Sequence, residues 1–434
     1  MWGKLNMLKI FKISIISLLF LVSNAFAVLE LELTQGVDNA IPIVILPFAG
    51  QEIISDADNK ITDTVGNDLK NSGRFRLVEV AEGQIDAANF EAWRTRKVEA
   101  VVTGQIKSIG SGQYSITVSL FDVYNKNKLF EKEYQIKTQQ LRKFAHHISD
   151  VIYQQLTGDR GIFSTKIAYI LVERQGRVAR YKLQVADSDG YNARILLSSK
   201  FPLMSPAWSP DGKKIAYVSF EGHRAAIYIQ DVATGKREVL SKFPGINGAP
   251  AWSPDGSKMA LVLTQTGYPK IYILDLATKN LERLTSDWSL DTEPNWSPDS
   301  KSLIFTSDRG GSPQIYRVYV DNKKVERVTF NGPYNARATF TPKGNAIVML
   351  HQAGDMFSIA LEDLKSGRVN LLTQSGLNES PSIAPNGKMV VYATNSNGRG
   401  MLAEVSVDGR VKLLLPAGEG EVREPAWSPF LYPL

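Results

Sequence analysis

Cysteine is absent from all 434 residues. That excludes disulfides, a thiolate metal centre and a cysteine-linked lipid anchor. Histidine is almost absent: His146, His147, His223 and His351 are the whole set. His146 and His147 are neighbours on a predicted helix, so they point apart and cannot chelate together, and both are expected on a solvated helix face. His223 and His351 fall in expected loops with no ligand partners nearby in sequence. The chain has no Gly-x-Ser-x-Gly elbow, no Gly-x4-Gly-Lys-Ser/Thr loop and no His-Glu-x-x-His. No catalytic, metal or cofactor site is therefore expected. Gly110-Ser111-Gly112 reads as a hairpin turn rather than a phosphate cradle, because a strand follows it.

Long apolar runs are also scarce. The ten-residue stretch Ile13–Val22 follows Lys4, Lys9 and Lys12 and precedes Ala25-Phe26-Ala27. A basic start, a short apolar core and a small-x-small end form a secretory signal, with cleavage expected after Ala27; an uncleaved anchor is the alternative. Removing three lysines takes the net charge from +6 to 6 − 3 = +3, a weak excess that gives no support for nucleic-acid binding. Behind the cleavage site, Leu29, Leu31 and Leu33 alternate with Glu30 and Glu32. This is a strand pattern at the start of the mature chain. It fits a mobile segment over 28–36, a strand added to another sheet edge, or an edge strand of the first domain.

What the chain has in abundance is one repeated stretch. Pro206-Ala207-Trp208-Ser209-Pro210-Asp211-Gly212 returns at Pro250 and Pro294, more weakly at Ala338 and Pro381, and truncated at Pro425. The starts 206, 250, 294, 338, 381 and 425 lie 44, 44, 44, 43 and 44 residues apart. An aromatic and a turn recurring at this period indicate a β-propeller with four strands per blade. Ser-Pro-Asp-Gly is turn chemistry, so Asp211, Asp255 and Asp299 are expected to stabilise turns rather than bind calcium. Trp208, Trp252, Trp296 and Trp427 are expected structural residues between blades. One such ring buries roughly 150–250 Å², worth roughly 4–6 kcal/mol at most.

Lys166-Ile167-Ala168-Tyr169 matches a second strand without a preceding motif, and Trp427-Ser428-Pro429 is a motif without a second strand. The chain end should therefore supply the innermost strand of a blade whose other three strands come from about 163–200. The expected fold is an α/β N-terminal domain followed by an all-β six-bladed β-propeller closed by a C-terminal strand. Its divisions are a signal peptide over 1–27, the N-terminal domain over 28–158 and the propeller over 163–434. Within the first domain, strands are expected at 41–48, 75–80, 100–109, 113–124 and 128–136. Helices are expected at 56–70 and 90–95, with a third capped by Thr138 and ended by Gly158.

Three residues precede each motif: Leu203-Met204-Ser205, Asn247-Gly248-Ala249, Asp291-Thr292-Glu293, Asn335-Ala336-Arg337, Asn378-Glu379-Ser380 and Val422-Arg423-Glu424. If the motif opens the inner strand, these are loops around one channel mouth. They vary while the motif beside them repeats, which suits recognition of a partner.

The chain resembles the TolB family, the periplasmic component of the Tol–Pal system of Gram-negative envelopes. The resemblance covers essentially the whole sequence. It is carried most specifically by Pro202-Leu203-Met204-Ser205 running into the first motif, Asn247-Gly248-Ala249-Pro250, Thr292-Glu293-Pro294 and Ala384-Pro385-Asn386-Gly387. It implies a non-enzymatic, monomeric adaptor that supports outer-membrane integrity and cell division. It implies two partners, the lipoprotein Pal, which would hold the protein at the outer membrane, and TolA. Pal contacts carry over to Met204, Asn247, Gly248, Ala249, Thr292 and Glu293, and the loop ring adds Arg337 and Glu379. TolA would take Leu29, Glu30, Leu31, Glu32 and Leu33, and with Pal bound that segment would tuck between the domains. One departure is Ile246, where family members often carry histidine, so a Pal contact through that side chain is not carried over here. The rival classes are a propeller-gated peptidase and a propeller binding a small ligand or cation.

Overall fold

The computed structural model describes residues 31–33, 39–54, 61–80, 86–374, 376–396 and 399–431. The signal segment, its cleavage site, and all of 28–36 except Leu31–Leu33 lie outside these residues.

The N-terminal domain is one five-stranded sheet with the order Phe75–Leu77, Ile41–Ile45, Ala100–Gly110, Gln113–Asp122, Asn127–Lys137. The first three strands are parallel and the rest antiparallel. Helices α1 (Ile61–Asn71) and α3 (Leu141–Thr157) cover one face. On α3 the apolar spacing Leu141, Phe144, Ala145, Ile148, Ile152 is buried, as a 3.6-residue period requires. Gly158 ends that helix with φ 76°, its N–H on Gln154 O at 2.9 Å. Thr138 does not cap it. Thr138–Gln140 form a 3-10 turn, and the Thr138 hydroxyl donates to Gly112 O in the neighbouring hairpin (3.0 Å). On the other face, the short helix α2 (Phe90–Thr95) buries Trp93 against Val44, Val98 and Val101.

Six four-stranded antiparallel blades follow. Blade 1 takes Lys166–Gln175, Val178–Asp187 and Arg194–Ser199 from its own stretch and Glu421–Trp427 from the chain end. The closing strand pairs Trp427 with Ile167, and Lys166 N–H donates to Ser428 Oγ at 2.9 Å. Blades 2 to 6 run over residues 203–241, 247–283, 291–327, 335–371 and 378–415.

Three motif tryptophans reach the preceding blade, and Trp427 reaches the start of its own. The Nε1–H groups of Trp208, Trp252 and Trp296 donate to Ala426 O, Ala207 O and Ala251 O at 3.0–3.2 Å, and Trp427 donates to Thr165 Oγ1 at 2.8 Å. Trp208, Trp296 and Trp427 are buried; Trp252 is half-buried. Blades 5 and 6 lack the ring, and other polar groups make the inter-blade bond. Asn295 Oδ1 accepts from Phe340 N–H (3.0 Å) between blades 4 and 5, and Thr339 Oγ1 donates to Pro381 O (3.5 Å) between blades 5 and 6; at the seam Ser382 Oγ of blade 6 accepts from Trp427 N–H of blade 1 (2.9 Å). In the turns, Ser209, Ser253 and Ser297 donate to Asp211, Asp255 and Asp299. Hydrogen bonds from Ser253 and Ser297 hold the latter two carboxyls below their usual range.

The six triplets are not loops. Each lies at the start of its inner strand, which begins three residues before the motif in blades 2 to 6 and four before it in blade 1. The ladder register slips just after each one, and the third residue has φ between 44° and 55°: Ser205, Ala249, Glu293, Arg337, Ser380 and Glu424. None is glycine, so each bulge costs roughly 1–2 kcal/mol of backbone strain. Sequence periodicity cannot distinguish a bulged strand start from a loop, because the bulge breaks the alternation.

The N-terminal domain packs on the turn ends of blades 1 and 6. Lys388 pairs with Asp159 (3.0 Å), Asn386 donates to Arg160 O (3.0 Å), and Asp150 accepts from Phe163 N–H (2.8 Å) and Ser164 N–H (3.1 Å). His146 is not solvated. It is 2 % exposed, with Nδ1 2.8 Å from Asp68 Oδ2 and the Asp187 and Asp189 carboxylates beyond Nε2. Burial alone would lower its pKa, but Asp68, Asp189 and Asp187 carry it up to about 9. His351 likewise lies in a strand, buried, with Nδ1 2.7 Å from Asn335 Oδ1. Both histidines are buried by segments distant in sequence. Leu31–Leu33 pairs antiparallel with Val411–Leu415, registering Leu31 on Leu413, and so forms a fifth strand on blade 6 rather than an edge of its own domain.

Two stability predictions follow from this packing. Trp296→Ala should cost about 3–5 kcal/mol in denaturant unfolding, and Trp252→Ala less, because Trp252 is only half-buried. Burial pushes the Glu362 carboxyl up to about 7. A raised carboxyl pKa favours the folded state at acid pH, and that contribution is lost as pH rises from 4.5 through 7. Glu362→Gln should therefore stabilise the protein by about 1–2 kcal/mol at pH 8 and leave pH 4.5 unchanged, read by thermal melts at both.

Candidate functional site

The bulges turn the inner-strand starts toward the channel and gather them around one mouth, away from the N-terminal domain. A cavity of about 370 Å³ opens there. Seven of the eight expected docking residues line it: Met204, Asn247, Gly248, Ala249, Thr292, Glu293 and Arg337. Glu379 lies in the adjoining cavity of about 420 Å³, with Leu377 and Tyr334.

Their roles in the wall differ. The first residue of every triplet is buried. Asn247 is fully covered: its carbonyl accepts from Ser241 Oγ and Phe243 N–H, and its amide donates to Phe243 O. It shapes the loop ahead of it and leaves little side chain for a partner. Asp291 is held between Lys270 Nζ (3.0 Å) and Arg309 Nη2 (2.9 Å). The second residues differ: Met204 is 40 % exposed and Glu379 is exposed, Gly248, Thr292 and Arg423 are half-buried, and Ala336 is buried.

The third residues form a charged cluster across the channel. Arg337 Nε lies 2.8 Å from Glu293 Oε1, its Nη2 3.6 Å from Glu424 Oε1, and its Nη1 donates to Ser380 Oγ. Glu424 also accepts from Ser205 N–H, and Glu293 from Thr306 Oγ1 at 2.8 Å. Burial alone would lower the Arg337 pKa, but Glu293, Glu424 and Glu379 raise it. Three carboxylates face one guanidinium, so the mouth is acidic.

Sequence reasoning missed the rim. Trp288 is 85 % exposed, Phe330 70 % and Leu377 68 %, and Ile246 and Leu290 are exposed beside them. All lie on connections between the outer strand of one blade and the inner strand of the next. The signal was present: Ile246, Leu290, Tyr334 and Leu377 stand immediately ahead of four successive triplets. The result is an acidic cavity inside an apolar crescent, a form suited to protein docking. Among the described residues, no helix is long and apolar enough to cross a membrane.

Comparison with known proteins agrees with this architecture. Residues 153–431 match the family model described as the TolB beta propeller domain, and residues 29–129 match the TolB amino-terminal domain. The Tol-Pal system protein TolB of Coxiella burnetii is 62 % identical over 425 residues, covering 96 % of this chain and 97 % of that one. The protein of the same name from Legionella pneumophila strain Corby is 58 % identical over 419 residues, covering 96 % and 99 %. The crystal structure of TolB from Acinetobacter baumannii superposes with a TM-score of 0.83 at 45 % identity, covering 92 % of this chain and all of that one. Two family models in tandem, high identity along nearly the full length and a shared two-domain fold lead to one conclusion: the chain belongs to the TolB family, non-enzymatic components of the Tol–Pal system.

Proposed function

We propose that the protein is a periplasmic adaptor that binds Pal at the channel mouth and TolA through its mature N-terminal segment. In this role it works as a monomer without cofactor or nucleic acid, peripheral to the outer membrane through Pal, and supports envelope integrity and constriction during division. The observation that carries the reading is the convergence of seven of the eight expected docking residues on one acidic cavity, inside an exposed apolar rim. Trp288, Phe330 and Leu377 offer the large exposed anchors that dominate protein interfaces.

The N-terminal half of the proposal is supported by the pairing of Leu31–Leu33 with Val411–Leu415. A partner that takes the edge of Leu31–Leu33 now paired with Val411–Leu413 must first displace that strand from blade 6. Its docked and free forms therefore compete, and Pal occupancy shifts the balance only through unequal affinity for the two. Leu29 and Glu30 extend the segment beyond the described residues.

Three measurements test this. Met204→Glu and Thr292→Ile should each weaken Pal binding at least tenfold in calorimetry while moving Tm by no more than a few degrees; unchanged affinity in both rejects the mouth. Glu293→Lys is a poorer probe, because Glu293 is tied to Arg337 and Thr306 and the change should lower stability as well. Deleting residues 28–35 should abolish TolA capture and spare the fold, and retained capture rejects the N-terminal assignment.

A further inference from the structure

One large exposed side chain on the rim is held more firmly than its exposure requires. Trp288 stands on the connection 285–290, between the outer strand of blade 3 and the inner strand of blade 4. The residues on both sides of it are fastened. Arg283 donates from Nε to Thr285 O at 2.7 Å and from Nη2 to Ser286 O at 3.2 Å. Arg309 pairs with Asp287 at 3.0 Å, and Leu290 N–H donates to Asp308 Oδ1 at 2.7 Å. Tyr268 meets the indole edge-on, with ring centroids 5.9 Å apart.

The fastening at Ser289 is the unusual one. Lys270 is 0 % exposed, and its Nζ donates to Ser289 O, to Ser289 Oγ at 3.3 Å and to Asp291 Oδ2 at 3.0 Å. Ser289 Oγ donates in turn to Asp291 Oδ1 at 2.9 Å. At the same register position blades 2 and 4 carry Ala226 and Gln314. Gln314 also reaches the connection that follows its blade, donating to Gly332 O at 3.2 Å, so a neutral amide is enough to shape such a connection. Burying an ammonium carries a heavy desolvation cost, and it returns hydrogen bonds roughly twice as strong as neutral ones. Blade 3 accepts that cost one residue away from the most exposed large apolar side chain among the described residues.

A fixed indole differs in use from a mobile one only when something binds it. Its freedom is lost on folding and is not lost again on docking, which strengthens the complex. Tryptophan is also among the residue types most enriched at interface hot spots. The connection runs straight into Asp291, Thr292 and Glu293, and the last two line the mouth cavity. We propose that Trp288 is the anchor of the docking face, that it enters an apolar recess on the partner, and that Lys270 is its positioning residue. This rests on the mouth being the Pal-docking site. Three carboxylates face one guanidinium inside the mouth, so the matching partner surface carries basic groups beside that recess.

The test is calorimetry with Pal. Trp288→Ala should weaken binding at least about thirtyfold, the size of an interface hot spot, with Tm moved by no more than about two degrees. Trp288→Phe keeps an aromatic anchor and should lose no more than about fivefold. Lys270→Met should weaken binding at least about fivefold alone, and less than about twofold when Trp288 is already alanine; a purely structural loss would weaken both backgrounds equally. Should Lys270→Met fail to fold, Asp308→Ala frees the Leu290 N–H from the outer side and enters the same cycle. Met204→Glu separates the anchor from the mouth. Weakened binding in Met204→Glu with full binding in Trp288→Ala overturns the anchor and leaves the mouth standing; full binding in both overturns the mouth as well. Equal effects of the positioning variant in both backgrounds overturn the role of Lys270.

Discussion

Ring closure is the constraint on which everything else rests. A propeller blade is hydrophobic on both faces of its sheet and has no partner within itself, so the array is stable only when the last blade meets the first. Here the two meet inside one sheet: Glu421–Trp427 pairs with Lys166–Gln175 across about 250 residues of sequence. Trp427 joins three pieces at that seam. Its indole donates to Thr165, its backbone accepts the blade 1 register, and its N–H donates to Ser382 of blade 6. The mouth of the channel exists because this seam holds six inner strands at fixed azimuths.

The inter-blade bonds show how a repeat tolerates the loss of its most regular residue. In blades 2, 3 and 4 the indole crosses to a carbonyl of the preceding blade. Blade 5 has Phe340 instead, which cannot donate from its ring. There the preceding blade carries Asn295 in place of the alanine of blades 2 and 3, and the amide oxygen accepts the Phe340 backbone N–H. The two departures from the motif are one exchange, visible only when the blades are set side by side.

Much of the fold was legible because repetition makes each blade a test of the others. The four-strand blade, the split first blade and the buried tryptophans all follow from a constant period and from two motif halves missing at opposite ends. The site was legible in position but not in form. The triplets stood out because they vary beside a constant motif, yet they are strand starts with a left-handed third residue, and backbone handedness leaves no trace in side-chain alternation. The first triplet residues read as variable, but burial makes Asn247 and Asp291 loop-shaping groups. His146 was misplaced for a different reason. Helix periodicity sees only the helix, and the acids that enclose His146 arrive from Asp68 and from blade 1.

The strained bulges and the domain junction lie at opposite ends of the same strands, and this arrangement bears on how an adaptor of this kind can work. Six residues at φ near 50° are kept in place only because the ladder beyond each bulge is over-determined by its neighbours. A partner pressing on the mouth therefore meets a rigid ring whose strain is spent on aiming side chains inward. The N-terminal domain grips the other end through Asp150, Lys388 and the acids around His146, and blade 6 presents Val411–Leu415 beside it. The propeller has little freedom to relay a signal by bending. Any coupling between mouth and N-terminal strand must then come from rigid-body adjustment of blade 6 or of the junction, where buried charges sit with unfilled hydrogen-bonding capacity. A close-packed ring is not a bistable element, so such coupling needs two discrete arrangements outside it.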